Sequence, residues 1–138
     1  MSFSVTEAVQ NIRNLIGDTA TPPVYDDEKI REYLFGAGLP RTNIELSTAF
    51  VSEDLATIDP EPTQVEQYVI ELCSAYAIII RQFTENAGKA IRAKEGSSEI
   101  DLSNSSKESG SAAKALNALI SEVVEKIKRG DITGVYIV

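Results

Sequence analysis

The chain has 138 residues, 43% of them apolar, with a formal net charge of −8 at pH 7, one cysteine and no histidine. That length suits a single domain burying roughly two-thirds of its unfolded surface, and its longest apolar run, Ala75 to Ile80, is far too short to span a bilayer. Charge is uneven: residues 1–60 hold ten acidic and four basic side chains, residues 61–138 eleven and nine. A chain this acidic repels a polyphosphate, so it is not expected to be a conventional nucleic-acid binder; DNA would slide past it. No basic start leads into an apolar segment at the N-terminus, so no signal peptide is expected. Cys73 has no partner for an internal disulfide and reads as a small buried hydrophobe, which suits a reducing cytoplasm.

Val5, Val9, Ile12 and Ile16, widened by Ala8 and Leu15, predict a first helix over Val5 to Ile16. Ser4 and Glu7 have the spacing of a capping box, and Gly17 is the natural stop because it takes a left-handed conformation without steric cost. Thr21-Pro22-Pro23 cannot be helical. A second helix is expected from Asp26 or Asp27 to about Ala37, burying Ile30, Tyr33 and Leu34, with Gly36 and Gly38 fraying its end. Between 39 and 62, Ile44, Leu46, Phe50, Val51, Leu55 and Ile58 follow neither helical nor strand period. This stretch reads as a long ordered loop over the helices, with Ser52-Glu53-Asp54-Leu55 as a single turn.

A long third helix is predicted from about Gln64 to Lys94, opened by a second capping box, Thr63 and Glu66. Its apolar face runs through Val65, Val69, Leu72, Tyr76, Ile79 or Ile80, Phe83, Ala87 and Ile91. Around Ala75 to Ile80 it is apolar on every side, which marks enclosure by other helices or by neighbouring subunits. Tyr68, Tyr76, Ile78 and Phe83 are the candidate subunit contacts. Gly88 inside this helix costs ~1 kcal/mol relative to alanine. Residues 96–111 hold seven serines and two glycines and read as a mobile loop in which Glu99-Ile100-Asp101-Leu102 alternates like a short strand. A fourth helix follows from about Ser111 to Arg129, ended by Gly130.

Chemistry-bearing motifs are absent. Without histidine there is no Ser-His-Asp or Cys-His arrangement, and the commonest metal ligand is missing. Gly36-Ala37-Gly38 lacks the context of a phosphate loop, and one cysteine gives no zinc spacing. Asp26-Asp27-Glu28 reads as helix capping rather than a metal site, and Glu99 with Asp101, two carboxylates on one strand face, is too little for calcium. Lys126, Lys128 and Arg129 form a basic helix end, read as a solvated terminus in preference to a DNA contact. No catalytic residue, metal or cofactor is expected, and the chain is not expected to be an enzyme.

The tail 131–138 is too apolar to leave in water. Either it packs back on its own molecule, or it adds an edge strand to a partner through Ile132, Val135, Tyr136, Ile137 and Val138.

The segments Ile12-Arg13-Asn14-Leu15-Ile16-Gly17-Asp18-Thr19 and Tyr25-Asp26-Asp27-Glu28-Lys29-Ile30-Arg31-Glu32-Tyr33-Leu34, followed by a long helix, Glu99-Ile100-Asp101-Leu102 and a final helix, resemble the head–tail connector (adaptor, or head-completion) proteins of tailed bacteriophages. The elements read from the residues make a mainly α fold: a four-helix bundle with a long helix three, a short β-like interruption before helix four and an extended C-terminal tail. The resemblance likewise implies a small, mostly helical protein. The chain then divides into a helical adaptor domain, 1–130, and an interaction tail, 131–138. The resemblance further implies a structural virion protein without catalytic residues, a ring of twelve copies beneath the portal protein. Such a ring receives a stopper or tail-completion protein and lines the DNA exit channel in the virion neck, after assembly in the host cytoplasm. The tail residues would then bind the portal. The competing reading is a cytoplasmic helical adaptor or regulator that binds one protein partner and forms no ring.

Overall fold

The structure, a computed structural model, describes residues 3–18, 24–93 and 99–130, with side chains described outside 86–109. Helix α1 spans Val5–Ile16. The Ser4 hydroxyl accepts the Glu7 N–H at 3.2 Å and supplies one of the partners that the first turn lacks. Gly17, at φ 70°, turns the chain out of the helix. Ala8, Val9 and Ile12 are buried, as the predicted stripe requires.

Helix α2, Asp27–Tyr33, is capped by the Asp26 carboxylate, which accepts the Lys29 N–H at 2.7 Å. The expected end near Ala37 is not observed. The backbone widens into a π-type turn over Leu34–Gly38, in which the Leu39 N–H reaches the Leu34 carbonyl, and continues as α3, Leu39–Leu46. A proline ring inside a regular helix collides with the carbonyl four residues earlier. The wide turn before Pro40 moves that carbonyl aside, so helical winding passes through a glycine-rich segment that propensity reads as an ending. The long loop expected over 39–62 therefore begins only at Ser47, which is left-handed at φ 55°.

Residues 47–63 hold their shape through side-chain-to-backbone bonds. Asn43 donates to the Phe50 carbonyl at 2.9 Å and accepts the Phe50 N–H at 2.8 Å, closing the loop's first half. Val51 and Asp59 exchange two backbone bonds of 2.9 Å. Ser52 accepts the Leu55 N–H, and Asp54 accepts those of Ala56 and Thr57. The Thr57 and Ala56 N–H groups hold the Asp54 carboxyl below the usual carboxylate range. Phe50, Ile58 and Pro62 anchor the loop by burial.

Helix α4, Gln64–Ala93, opens on the predicted capping box: Glu66 donates its N–H to the Thr63 hydroxyl, and Thr63 returns its own to the Glu66 carboxylate. Helix α5 is Glu99–Arg129. The β-like interruption and the serine-rich loop are thus corrected: Glu99-Ile100-Asp101-Leu102 is the first turn of α5, and 99–111 is helical. Gly110 lies against Phe83, and Asn117 shares a groove with Tyr76, so α4 and α5 run antiparallel with arms of 30 and 31 residues.

The fold is mainly α, in four helical segments, with no strand among the described residues. Its core joins Ile12 of α1, Ile30 of α2, Leu34 of the wide turn, Val69, Ile70, Leu72 and Ile78 of α4, and Ile120 of α5, each with at most a trace of exposure. The tail 131–138 lies outside the described residues.

Candidate functional site

Two of the segments singled out in the sequence, 12–19 and 25–34, are tied together by one guanidinium. Arg13, buried on the last turn of α1, donates to the Asp18 carboxylate at 3.0 Å, the Tyr25 carbonyl at 2.6 Å and Asp27 at 2.5 Å. Asp18 accepts the N–H groups of Val24 and Tyr25, each at 2.9 Å. Asp18 is buried and Asp27 exposed, so only the first pair is withdrawn from water. Of the Asp26-Asp27-Glu28 run, Asp26 caps α2 and Asp27 meets Arg13.

The four candidate subunit contacts have different surroundings. Ile78 is fully buried in the chain's own core, so it has no surface to offer a neighbour. Tyr76 is half-buried beneath the Arg41 guanidinium, 4.7 Å from its ring centre, and Arg41 also donates to Asn117 of α5 at 2.8 Å. Phe83 is half-buried against Gly110. Tyr76, Ile80 and Phe83 of α4, with Gly110, Ala113 and Lys114 of α5, line an open groove of about 580 Å³. Tyr68 is exposed. Tyr25 and Tyr33 fasten the first helices to α4: Gln82 donates to the Tyr25 hydroxyl and Arg81 to that of Tyr33. Burial is the main cause that pushes the Tyr25 phenol up.

Large exposed apolar side chains gather in α3 and the loop after it: Ile44 at 78%, Val51 at 55% and Leu55 at 47%. The basic end of α5 is partly neutralised, with Lys126 and Arg129 facing Glu122 and Glu125 one turn back. Glu99 and Asp101 lie in a helix, so the expected strand is not observed. Among the described residues no group of three or more Cys, Asp or Glu is placed to hold a metal ion. No described helix is long and apolar enough to cross a membrane.

Sequence reasoning passed over Glu71. It is 4% exposed, and one carboxylate oxygen, Oε2, accepts from Asn11 of α1 and Gln67 of α4, both at 2.9 Å. The signal was available: on α4, Gln67 and Glu71 continue the flank of Ala75 and Ile78, both fully buried. Burial pushes the Glu71 carboxyl up, against the lowering effect of the two amides. A carboxyl raised in the folded state contributes stability that is complete below its unfolded pKa and is lost as pH rises through the folded value. Glu71→Gln is therefore expected to raise the melting temperature at pH 7, and the gain should shrink as pH falls through the carboxylate range and vanish at about pH 3, where both states are protonated. Thermal melts of both proteins from acid to neutral pH measure it; a variant that melts lower at pH 7 would refute the sign.

No protein-family model matches the chain, and no match is found among curated proteins or solved structures.

Proposed function

We propose that the chain is a structural adaptor of the tailed-phage neck, joining the capsid portal to a stopper or tail-completion protein as a ring through which DNA passes. The observation that carries this reading is the Arg13 brace. Two of the segments on which the resemblance rests, 12–19 and 25–34, are joined by it into one folded unit, so their residues have a structural cause. Members of a family without catalytic residues would resemble one another at such fold-holding positions. The net charge of −8 suits a channel wall that does not trap DNA. Exposed Ile44, Val51 and Leu55 offer contact area to neighbouring copies. A finer reading of the helices as a four-helix bundle belongs to the same proposal, as does portal docking through 131–138.

The same exposed residues would serve an adaptor that binds one partner without forming a ring, and solution mass separates the two. Light scattering is expected to find a monomer at micromolar concentration, since charge opposes self-association, and a ring only with purified portal protein. Removing 131–138 should leave the melting temperature nearly unchanged and abolish portal docking, because α5 ends at Gly130 without the tail. Docking by the folded truncated chain would shift the interface to α3 and its loop. A one-to-one complex would favour the ringless adaptor. Tight duplex binding at ~150 mM salt, weakening steeply as salt rises, would contradict the channel role.

A further inference from the structure

Two carboxylates are buried among the described residues, and their surroundings differ in kind. Asp18 faces the Arg13 guanidinium. Glu71 faces no cation: Asn11, Asn14 and Leu15 of α1 and Tyr68 of α4 share its pocket, Gln67 donates to it, and the charge that acts on it, Glu7, has the same sign. Both of its hydrogen bonds end on Oε2, and among the described residues Oε1 receives none. A carboxylate has about four lone-pair sites, so half of this group's capacity is unfilled while its hydration is largely removed. The pocket that reaches it opens to solvent and measures about 390 Å³. At its rim stands Tyr68, 37% exposed and one helical turn before Glu71 on the same face.

We propose that this pocket is a socket for an arginine side chain presented by a partner protein. A guanidinium is planar, weakly hydrated and able to give a fork of N–H groups to one carboxylate while lying on an aromatic ring. Oε1 would take the fork, and the Tyr68 ring would cover the guanidinium face. The amides of Asn11 and Gln67 keep the carboxylate oriented, so the acceptor is set before the partner arrives. The charge also fits: the only cation on the adjoining stretch of α1, Arg13, is engaged by Asp18, Asp27 and the Tyr25 carbonyl. The inference rests on this geometry and does not require the neck-adaptor reading.

The test uses the whole chain with N-acetylarginine amide as probe and N-acetylcitrulline amide, its neutral near-isostere, as control. Arginine amide is expected to shift the side-chain amide resonances of Asn11 and Gln67 with a saturable Kd of ~10 mM, a typical weak affinity for one isolated contact. It should also lower the titration midpoint of the Glu71 carboxyl, while citrulline amide at equal concentration does neither. Glu71→Gln should abolish the response, and Tyr68→Ala, at an exposed position, should weaken it about threefold. Dissociation of a self-associated form by arginine amide would identify a second copy as the partner and support the socket. An equal response to citrulline amide, shifts confined to other residues, or an undiminished response in Glu71→Gln would overturn it. Were Glu71→Gln unfolded, the arginine-against-citrulline comparison on the native chain decides alone.

Discussion

Arg13→Ala is expected to destabilise the protein by ~3–5 kcal/mol, the cost of leaving a buried carboxylate without its cation. The Asp18 side chain is 3% exposed, and its other bonds come from two backbone N–H groups that cannot neutralise it. For a chain of this size the melting temperature should fall by roughly 10–20 °C. Arg13→Lys should rescue little, since an ammonium lacks the planar fork that serves Asp18, the Tyr25 carbonyl and Asp27 at once. Asp27 is the contrasting partner: its side chain is 84% exposed, and Asp27→Ala should cost at most about 1 kcal/mol. Combining Arg13→Ala with Asp18→Asn should recover part of the loss, because the stranded charge has gone. Calorimetry on the four variants measures the set. A melting temperature for Arg13→Ala within ~2 °C of the native chain would show that Asp18 is solvated and the brace dispensable.

Where the sequence carried a local stop signal with a stereochemical cause, its reading agrees with the structure. Ser4 and Gly17 bound α1, the Thr63–Glu66 box opens α4, and Gly130, at φ 79°, follows α5. It failed where packing overrides propensity. Gly36 and Gly38 read as the fraying end of a helix, yet a π-type turn carries the winding through them. Residues 96–111 read as a serine-rich loop, yet 99–111 are helical. The segment after α3 showed no period because its order comes from single side chains, Asn43 and Asp54, which periodicity does not register. Among candidate contacts, Tyr68 and Ile78 are both compatible with a hydrophobic pattern, and only the packing of α4 shows that the first is open and the second enclosed. Helical spacing could have flagged Glu71 through Gln67 and the buried flank of α4, but the bonds that join Arg13 to Asp27 and Glu71 to Asn11 span 14 and 60 residues, beyond any local spacing rule.

Gly38→Ala is expected to cost ~2–4 kcal/mol, with a fall of roughly 10 °C in melting temperature. A Cβ at this position would lie 1.9 Å from the Ser74 hydroxyl oxygen, 3.0 Å from the Ser74 Cβ and 2.9 Å from the Ile70 carbonyl oxygen. Rotating Ser74 would relieve only the first contact and would break its 2.7 Å bond to the Ile70 carbonyl. The other two belong to the frame of α4, so relief means separating the wide turn from that helix. Gly36 provides the control two residues away, where an added Cβ meets nothing within 4 Å. Gly36→Ala should be neutral or stabilising by up to about 1 kcal/mol, because alanine restricts the unfolded chain without straining the fold. Adding Ser74→Gly to Gly38→Ala should restore part of the loss by removing two of the three contacts. Equal melting temperatures for Gly36→Ala and Gly38→Ala would show that the wide turn is not seated against α4. A large difference in the predicted direction would identify close approach, not backbone freedom, as the reason glycine stands at position 38.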